Sequence, residues 1–542
     1  MLVAQYLSKQ LAEWGVKRIY GVAGDGIFAW LDSLGKQSEL RYIACKHESA
    51  AAMMASAEAK LTGKPAVCTA TMGPGFVNLL NGLADAHTDR VPVIAITGQV
   101  ETAKLGGGYK QYVAQEDMIR PISCYQATVT EPDAVGEVLH RAFVSAAQQK
   151  DVAHLSICKN VFAEKTQATI LPSLPRIPRV LGDRVEIESA ADQIMQAKAP
   201  LVLLGIGARQ SAALCLRFAE QLGAGIVLSL GAKGAIEESH RLVLGGLGEG
   251  GSEGVLQALD EADLLVILGA SWFPKEFIPK HLPIIQVDHA ATSMHAQPKL
   301  LSVTADLLDV LPLWLARLKN RQRGEAWEQR VESWHEQLWA ENEQISKASS
   351  PDEAVKPELL LHTVGRMVAE DAIVALDTGE HTIWFNRAFR AVRQYPLFSG
   401  KWRTMGFGLP AAIAAKLAFP DRQVVCVTGD GGLQMNLAEL MTAVEQQLAI
   451  TLIVVNNQTL GLEELKMKQE GYGSFGVRLT NPDFCLWAKA CGADSVSVRS
   501  AAELEPALQQ ALASNRLTLL DIHCTAPTLT ERKKQIPFQA QA

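Results

Sequence analysis

With 542 residues, 48% of them hydrophobic and 20% charged, the chain is long enough for about three globular domains and too apolar to be disordered or fibrous. A net charge of -7 without any basic block argues against a nucleic-acid partner. Nine scattered cysteines, several inside apolar runs such as AVCTA and VVCVTG, read as reduced thiols of a cytoplasmic protein, and no apolar run reaches the roughly 18 residues of a membrane span.

Helical spacing over residues 2–14, with charges inside the segment and no signal-peptide layout, opens the chain. Strands are expected at residues 18–22, 42–45, 66–70 and 91–96, with a helix at 49–61; this alternation over residues 1–165 predicts an α/β layer with a mostly parallel sheet. Glu48, in Lys46-His47-Glu48-Ser49, falls where a strand hands over to a helix, a position suited either to chemistry or to capping the helix at its positive end. Pro172, Pro175 and Pro178 mark a linker. A second domain, residues 185–320, carries strand patterns at 201–204, 226–230, 264–268 and 284–287, ended by glycine-rich turns at Gly205-Ile206-Gly207, Gly245 to Gly251, and Gly269-Ala270-Ser271. Such turns admit a nucleotide close to the backbone, although a Gly-x-Gly alone is weak evidence. Residues 308–344 are helical and charged, and Trp314, Trp327, Trp334 and Trp339 read as packing residues. A loop at 349–357 leads into a third domain, residues 355–528, expected to repeat the architecture of the first.

The third domain holds the most specific pattern. An apolar strand at 424–427, a helical segment at 433–447 and a second strand at 450–455 make one βαβ unit. Right-handed crossover sets the two strands parallel, so Gly429-Asp430-Gly431 and Asn456-Asn457 leave the same sheet edge. A carboxylate and a carboxamide oxygen beside glycines form a hard oxygen site suited to Mg²⁺ carrying a diphosphate. The step of 27 residues from Asp430 to Asn457 gives the motif its specificity; the same step from Asp25, in Gly24-Asp25-Gly26, lands on Ala52.

The Gly-Asp-Gly followed by Asn-Asn, with TATMGPGFVNLLNGLADAHTDRVPVIAITGQ (residues 69–99) and TMGFGLPAA (404–412), resembles the thiamine diphosphate (ThDP) enzymes of the acetolactate synthase and pyruvate oxidase family over nearly the whole chain. The resemblance implies an N-terminal domain for the aminopyrimidine of ThDP, a middle domain, and a C-terminal domain for its diphosphate and Mg²⁺. It implies Asp430, Asn457 and the backbone carbonyl of Thr459 as metal ligands, with Gly73, Asn78, Gly379, His381, Gly429, Gly431, Gly432, Thr459 and Gly461 around the cofactor. Glu48 becomes the catalytic carboxylate on the aminopyrimidine, and Met405 the apolar wedge that bends the cofactor. FAD is a candidate ligand of the middle domain. The alternative is an empty, structural domain as in simple decarboxylases, since Asp288-His289-Ala290-Ala291 lacks the family's Pro and Ser271-Trp272 replaces its usual Arg.

The implied reaction is ThDP- and Mg²⁺-dependent decarboxylation of a 2-oxo acid, pyruvate or a more polar analogue, with transfer or oxidation of the decarboxylated fragment. The alternatives are simple decarboxylation to an aldehyde and a non-catalytic regulatory subunit. A homodimer or homotetramer with sites at the subunit interface is implied. Near the substrate the chain departs from its relatives: Lys110-Gln111-Tyr112 stands where they carry Phe-Gln-Glu. Lys110, with Lys466, is therefore expected to accept a polar or anionic group of the substrate; the alternative is that Lys110 swings outward or meets a carboxylate such as Glu116 or Asp117. The tail ERKKQIPFQAQA is too short and polar for a lipid-binding extension, so no membrane association is expected.

Overall fold

The computed structural model describes residues 1–174, 180–291, 299–347 and 350–525. Their strands form three six-stranded sheets in which every pairing is parallel, each sheet flanked by helices. The first contains β1 (Arg18–Gly21), β2 (Arg41–Ala44), β3 (Ala66–Ala70), β4 (Val93–Gln99), β5 (Tyr125–Val129) and β6 (Val152–Cys158), ordered β2-β1-β3-β4-β6-β5. The second contains β7 (Pro200–Leu204), β8 (Gly225–Leu228), β9 (Val243–Gly246), β10 (Leu264–Leu268), β11 (Ile284–Asp288) and β12 (Leu300–Thr304), ordered β12-β11-β10-β7-β8-β9. The third contains β13 (Ile373–Leu376), β14 (Tyr395–Phe398), β15 (Val424–Gly429), β16 (Thr451–Asn456), β17 (Asp494–Val498) and β18 (Thr518–His523), ordered β14-β13-β15-β16-β18-β17. The third sheet thus repeats the first strand for strand, while the middle one has the doubly wound order of dinucleotide-binding folds.

The central strands are unbroken Val/Ile/Leu runs because helices cover both faces; every residue of β10 and β16 is buried. Edge strands escape this signature, β2, β5 and β17 being only partly buried. β12 (LLSVT) is a half-buried edge strand, and β9 contains Gly245 and Gly246, which the sequence presents as a turn. Gly245 has φ +108°, and the β8–β9 register shifts at Ile226/Val227, so the glycine accommodates a bulge within a strand. The helical segment expected at 433–447 is two short helices, Asp430–Met435 and Glu439–Glu445. Asn436 breaks it: with φ -133° it turns its side chain so that Nδ2 donates to Gly406 O at 2.8 Å.

The stretch at 308–344 is likewise two helices, Leu307–Leu318 and Glu325–Lys347, and Trp314, Trp327 and Trp334 are buried in the middle-domain core as packing residues. Residues 175–179 of the expected linker and the polar tail lie outside the described residues. All nine cysteines are free thiols, and burial pushes that of Cys68 up to about 12. No helix among the described residues is long and apolar enough to cross a membrane.

One core joins the first and third sheets. Helix Glu48–Thr62 lies along helix Gly408–Ala418, and both are rich in small buried side chains, Ala50, Ala51, Ala52 and Ala55 on the first and Ala411, Ala412, Ala414 and Ala415 on the second. Beside them Lys60, its side chain 6% exposed, lies between Asp85 and Asp89 of its own domain, 2.7 Å from each, and donates to Phe398 O of the third domain at 3.0 Å. Asp89 in turn accepts the backbone N–H groups of Gly400 and Lys401, both at 2.7 Å, which fixes the start of the loop that carries Met405.

Candidate active site

In the third sheet the strand order reverses between β13 and β15, so the chain leaves their carboxyl ends in opposite directions and opens a crevice there. Asp377 to Glu380 enter it after β13, Gly429-Asp430 after β15, and Asn457 to Thr459 after β16. Asp430 is buried, and burial pushes its carboxyl up against the pull of its hydrogen bonds. Its Oδ1 accepts from Gly431 N at 2.8 Å; its Oδ2 accepts from Gln458 N at 2.7 Å and from Asn481 Nδ2 at 2.8 Å. Asn457 Nδ2 donates to Glu380 Oε1 at 3.2 Å, and its Oδ1 accepts from Thr459 N at 3.2 Å. Thr459 is buried, with its hydroxyl donating to Glu464 at 3.0 Å, and Gly461 opens the following helix, Gly461–Gln469.

Met405 Cε lies 3.4 Å from where a Cβ on Gly431 would stand, and Leu460 and Leu479 crowd the same point at 2.9 and 3.0 Å. An apolar wall therefore faces the oxygen-rich end of the crevice. A Cβ on Gly429, by contrast, would meet nothing closer than the His381 ring at 3.7 Å. His381 is buried, and desolvation lowers its ring to about 4. Its Nε2 lies 2.6 Å from Asp377 O, a carbonyl that can only accept, so the neutral ring carries its proton on Nε2 and packs against Gly379. Any contact it makes with an anion is therefore that of a neutral group.

Three residues matter here that the motif search did not select. Asp377 ties three segments of the crevice together: Oδ1 accepts from Thr378 N at 2.7 Å and Gly406 N at 2.8 Å, and Oδ2 from Thr428 Oγ1 at 2.9 Å. A Cβ on Gly432 would lie 2.7 Å from that Oδ2, which is why glycine is needed there. Glu380 and Asn481 brace the metal-type donors. The strand-end position of Asp377 and Glu380 was a readable signal; Asn481 carried none.

The first-domain candidates form a second cluster. Glu48 is the first residue of helix Glu48–Thr62, and its Oε2 accepts from Asn78 Nδ2 at 3.0 Å. The preceding turn is held by Glu439 of the third domain, whose Oε1 accepts from Lys46 N at 2.9 Å and His47 N at 3.0 Å. Gly73, at φ +61°, starts helix Pro74–Thr88, and a Cβ there would be 2.5 Å from Gln111 O. Gln111 itself has φ +63°, and both it and Lys110 are exposed. Lys110 has no ion-pair partner among the described residues, Asp117 pairing instead with Arg120 at 3.0 Å. Lys466 pairs with Glu463 at 3.0 Å on its own helix, so the sequence expectation that it acts with Lys110 gains nothing from this chain. Among the described residues no hydrogen bond joins Glu48 to Asp430, Asn457 or Met405.

The donor set fits a hard cation with a diphosphate: it is all oxygen, with Asp430, Thr459 and Glu380 buried and Asn457 half-buried, and has a carboxylate oxygen, Glu380 Oε2, without a partner among the described residues. No group of three or more His, Cys, Asp or Glu residues forms a metal cluster among the described residues, so such a centre depends on carboxamide and backbone oxygens as well. The middle-domain glycines do not add a case for FAD. A Cβ on Gly205 would lie 2.1 Å from Gly269 O, and one on Gly207 2.9 Å from the same atom. The turns after β7 and β10 therefore need glycine in order to touch each other.

The family models agree with this layout. The thiamine pyrophosphate enzyme N-terminal TPP binding domain matches residues 1–118, the central domain 187–313 and the C-terminal TPP binding domain 377–522. A Bacillus subtilis (strain 168) protein, YdaP, named as thiamine pyrophosphate-containing, is 35% identical, covering 96% of this chain and 91% of its own length. The acetolactate synthase isozyme 1 large subunit of Escherichia coli (strain K12) is 32% identical, covering 94% and 91%. The acetolactate synthase large subunit of Parasynechococcus marenigrum (strain WH8102) is also 32% identical, covering 96% and 87%. With its domains matched in order and a crevice of this kind between β13 and β15, the chain belongs to the thiamine pyrophosphate enzymes, the family that includes the acetolactate synthases.

Proposed function

We propose that the protein decarboxylates a 2-oxo acid with ThDP and Mg²⁺ and transfers the remaining fragment to a second carbonyl compound, as its acetolactate synthase relatives are named for doing. The observation that carries this reading is the meeting of Asp430, Asn457 and Thr459 at the ends of adjacent parallel strands, opposite the Met405 wall. When bound, ThDP supplies the electron sink that lets CO₂ leave. Asp430, Asn457 and the Thr459 carbonyl would hold Mg²⁺, and through it the diphosphate, while Gly429 leaves room for the phosphate oxygens. Met405, Leu460 and Leu479 exclude water on one side and hold the cofactor in its reactive shape. Glu48 holds and releases a proton at its carboxylate, with the Asn78 amide fixing Oε2 so that Oε1 is left to the cofactor.

The working unit in this reading is at least a homodimer. Glu48 engages Asn78 of its own domain, and exposed apolar side chains flank both clusters: Val77, 39% exposed, beside Asn78, and Met435, 61% exposed, at the end of the Asp430 helix. An interface there would bring Glu48 of one protomer to the Asp430 of its partner. The assignment does not rest on FAD, whose presence is read directly from flavin absorbance of the purified protein. The test is a screen of 2-oxo acids for CO₂ release and for carboligation products. Release that requires both ThDP and Mg²⁺, with a ligated product, is expected; aldehyde as the sole product would replace transfer with simple decarboxylation, and no CO₂ from any 2-oxo acid would refute the proposal.

A further inference from the structure

Glu380 stands in the crevice with a feature its neighbours lack. Its residue is 5% exposed, one carboxylate oxygen accepts from Asn457 Nδ2 at 3.2 Å, and the other, Oε2, is buried with no partner among the described residues. Leaving such an oxygen dry and unbonded is costly unless something else satisfies it. Its charged surroundings make matters worse, because Asp430 and Glu464 both act on it with its own sign. Glu464 is neutralised by Lys468 at 2.9 Å and Arg478 at 3.4 Å, but Asp430 forms no ion pair among the described residues and is held by N–H groups of Gly431, Gln458 and Asn481. Two buried carboxylates therefore share the crevice, and among the described residues neither forms an ion pair there. The Asn457 bond also sets the carboxamide with its nitrogen toward Glu380, which leaves Oδ1 as the oxygen available to a cation.

We infer that Glu380 donates Oε2 to the same divalent cation as Asp430 and Asn457, giving the centre a second protein carboxylate and letting it take up the metal before the diphosphate arrives. This rests on the metal site proposed above. A hard ion that prefers oxygen donors, Mg²⁺ or Mn²⁺, suits two carboxylates, a carboxamide and a backbone carbonyl.

The test is a Mn²⁺ titration of the full-length, ThDP-free protein, with free Mn²⁺ followed by electron paramagnetic resonance. Wild type is expected to bind one Mn²⁺ per chain, Asp430→Asn to lose it, and Glu380→Gln, equal in shape but neutral, to weaken it about 10- to 100-fold. Wild-type affinity in Glu380→Gln together with loss in Asp430→Asn would overturn the inference, reduce Glu380 to a brace for Asn457, and leave the proposed function standing. Failure of wild type to bind Mn²⁺ without ThDP would also overturn it. Binding unchanged in both variants would remove the metal site itself, and the proposed function with it. Circular dichroism checks the fold; should Glu380→Gln not fold, Glu380→Ser, which leaves a hydroxyl for Asn457, is read with the same outcomes.

Discussion

Replacing Lys60 with methionine tests how the first and third domains are held in register. Lys60 Nζ lies 2.7 Å from Asp85 and 2.7 Å from Asp89, and also donates to Phe398 O at 3.0 Å while sitting 4.5 Å over the Phe407 ring. Burial works against its charge, but the two carboxylates outweigh burial and raise its pKa. Asp85 is fully buried; burial pushes its carboxyl up, and without Lys60 it keeps the Ser56 hydroxyl at 2.6 Å while its Oδ1 has no hydrogen-bond partner among the described residues. At an effective dielectric constant near 20, Coulomb's law gives about 6 kcal/mol for charges 2.7 Å apart, and desolvation takes back several kcal/mol. Removing one partner of such a buried pair costs about 3–5 kcal/mol, because the other charge stays behind. Lys60→Met should therefore lower the apparent stability in urea unfolding by that amount, and less as the solution is made acidic, because burial already favours the protonated form of Asp85. Adding Asp85→Asn should restore more than half the loss. A loss below about 1 kcal/mol, or no recovery in the double variant, would refute the argument that this buried charge, rather than packing, fixes the domains.

Asp430→Ala should lose Mg²⁺ and ThDP together in calorimetry, and unchanged ThDP affinity would place the diphosphate elsewhere. Glu48→Gln should still bind ThDP but turn over about 10²–10⁴-fold more slowly, and mixing it with Asp430→Ala under subunit exchange should regain activity if the sites are shared between protomers. His154 is buried with its Nε2 2.8 Å from Thr97 Oγ1, and burial lowers its ring from 6.5 to about 3. Since the unfolded chain binds this proton and the folded chain does not, stability should fall as pH drops below 6.5, by about 2 kcal/mol at pH 5; denaturation of His154→Gln should lack that component. Lys110→Phe should raise kcat/KM for pyruvate relative to acidic or polar 2-oxo acids if this exposed cation reads the substrate, and equal changes for both would exclude that role.

The sequence by itself determined the three α/β layers, because strands covered on both faces must be nearly continuous apolar runs, as in VVCVTG and TLIVVN. It also determined the edge at which Asp430 and Asn457 meet, because parallel strands joined by right-handed crossovers deliver their carboxyl ends together. It failed where local pattern and tertiary need diverge. β9 was hidden by glycines that serve a bulge, and the expected helix at 433–447 was broken by Asn436 for a bond to Gly406. Only the tertiary structure placed Lys60 between Asp85 and Asp89, made Asp377 the common acceptor for Thr378, Gly406 and Thr428, and left one oxygen of Glu380 without a donor among the described residues. Periodicity records which face of an element is buried. It does not record which charge on a distant element that face will meet, and buried charges, whose interactions strengthen as water is excluded, are set by such meetings.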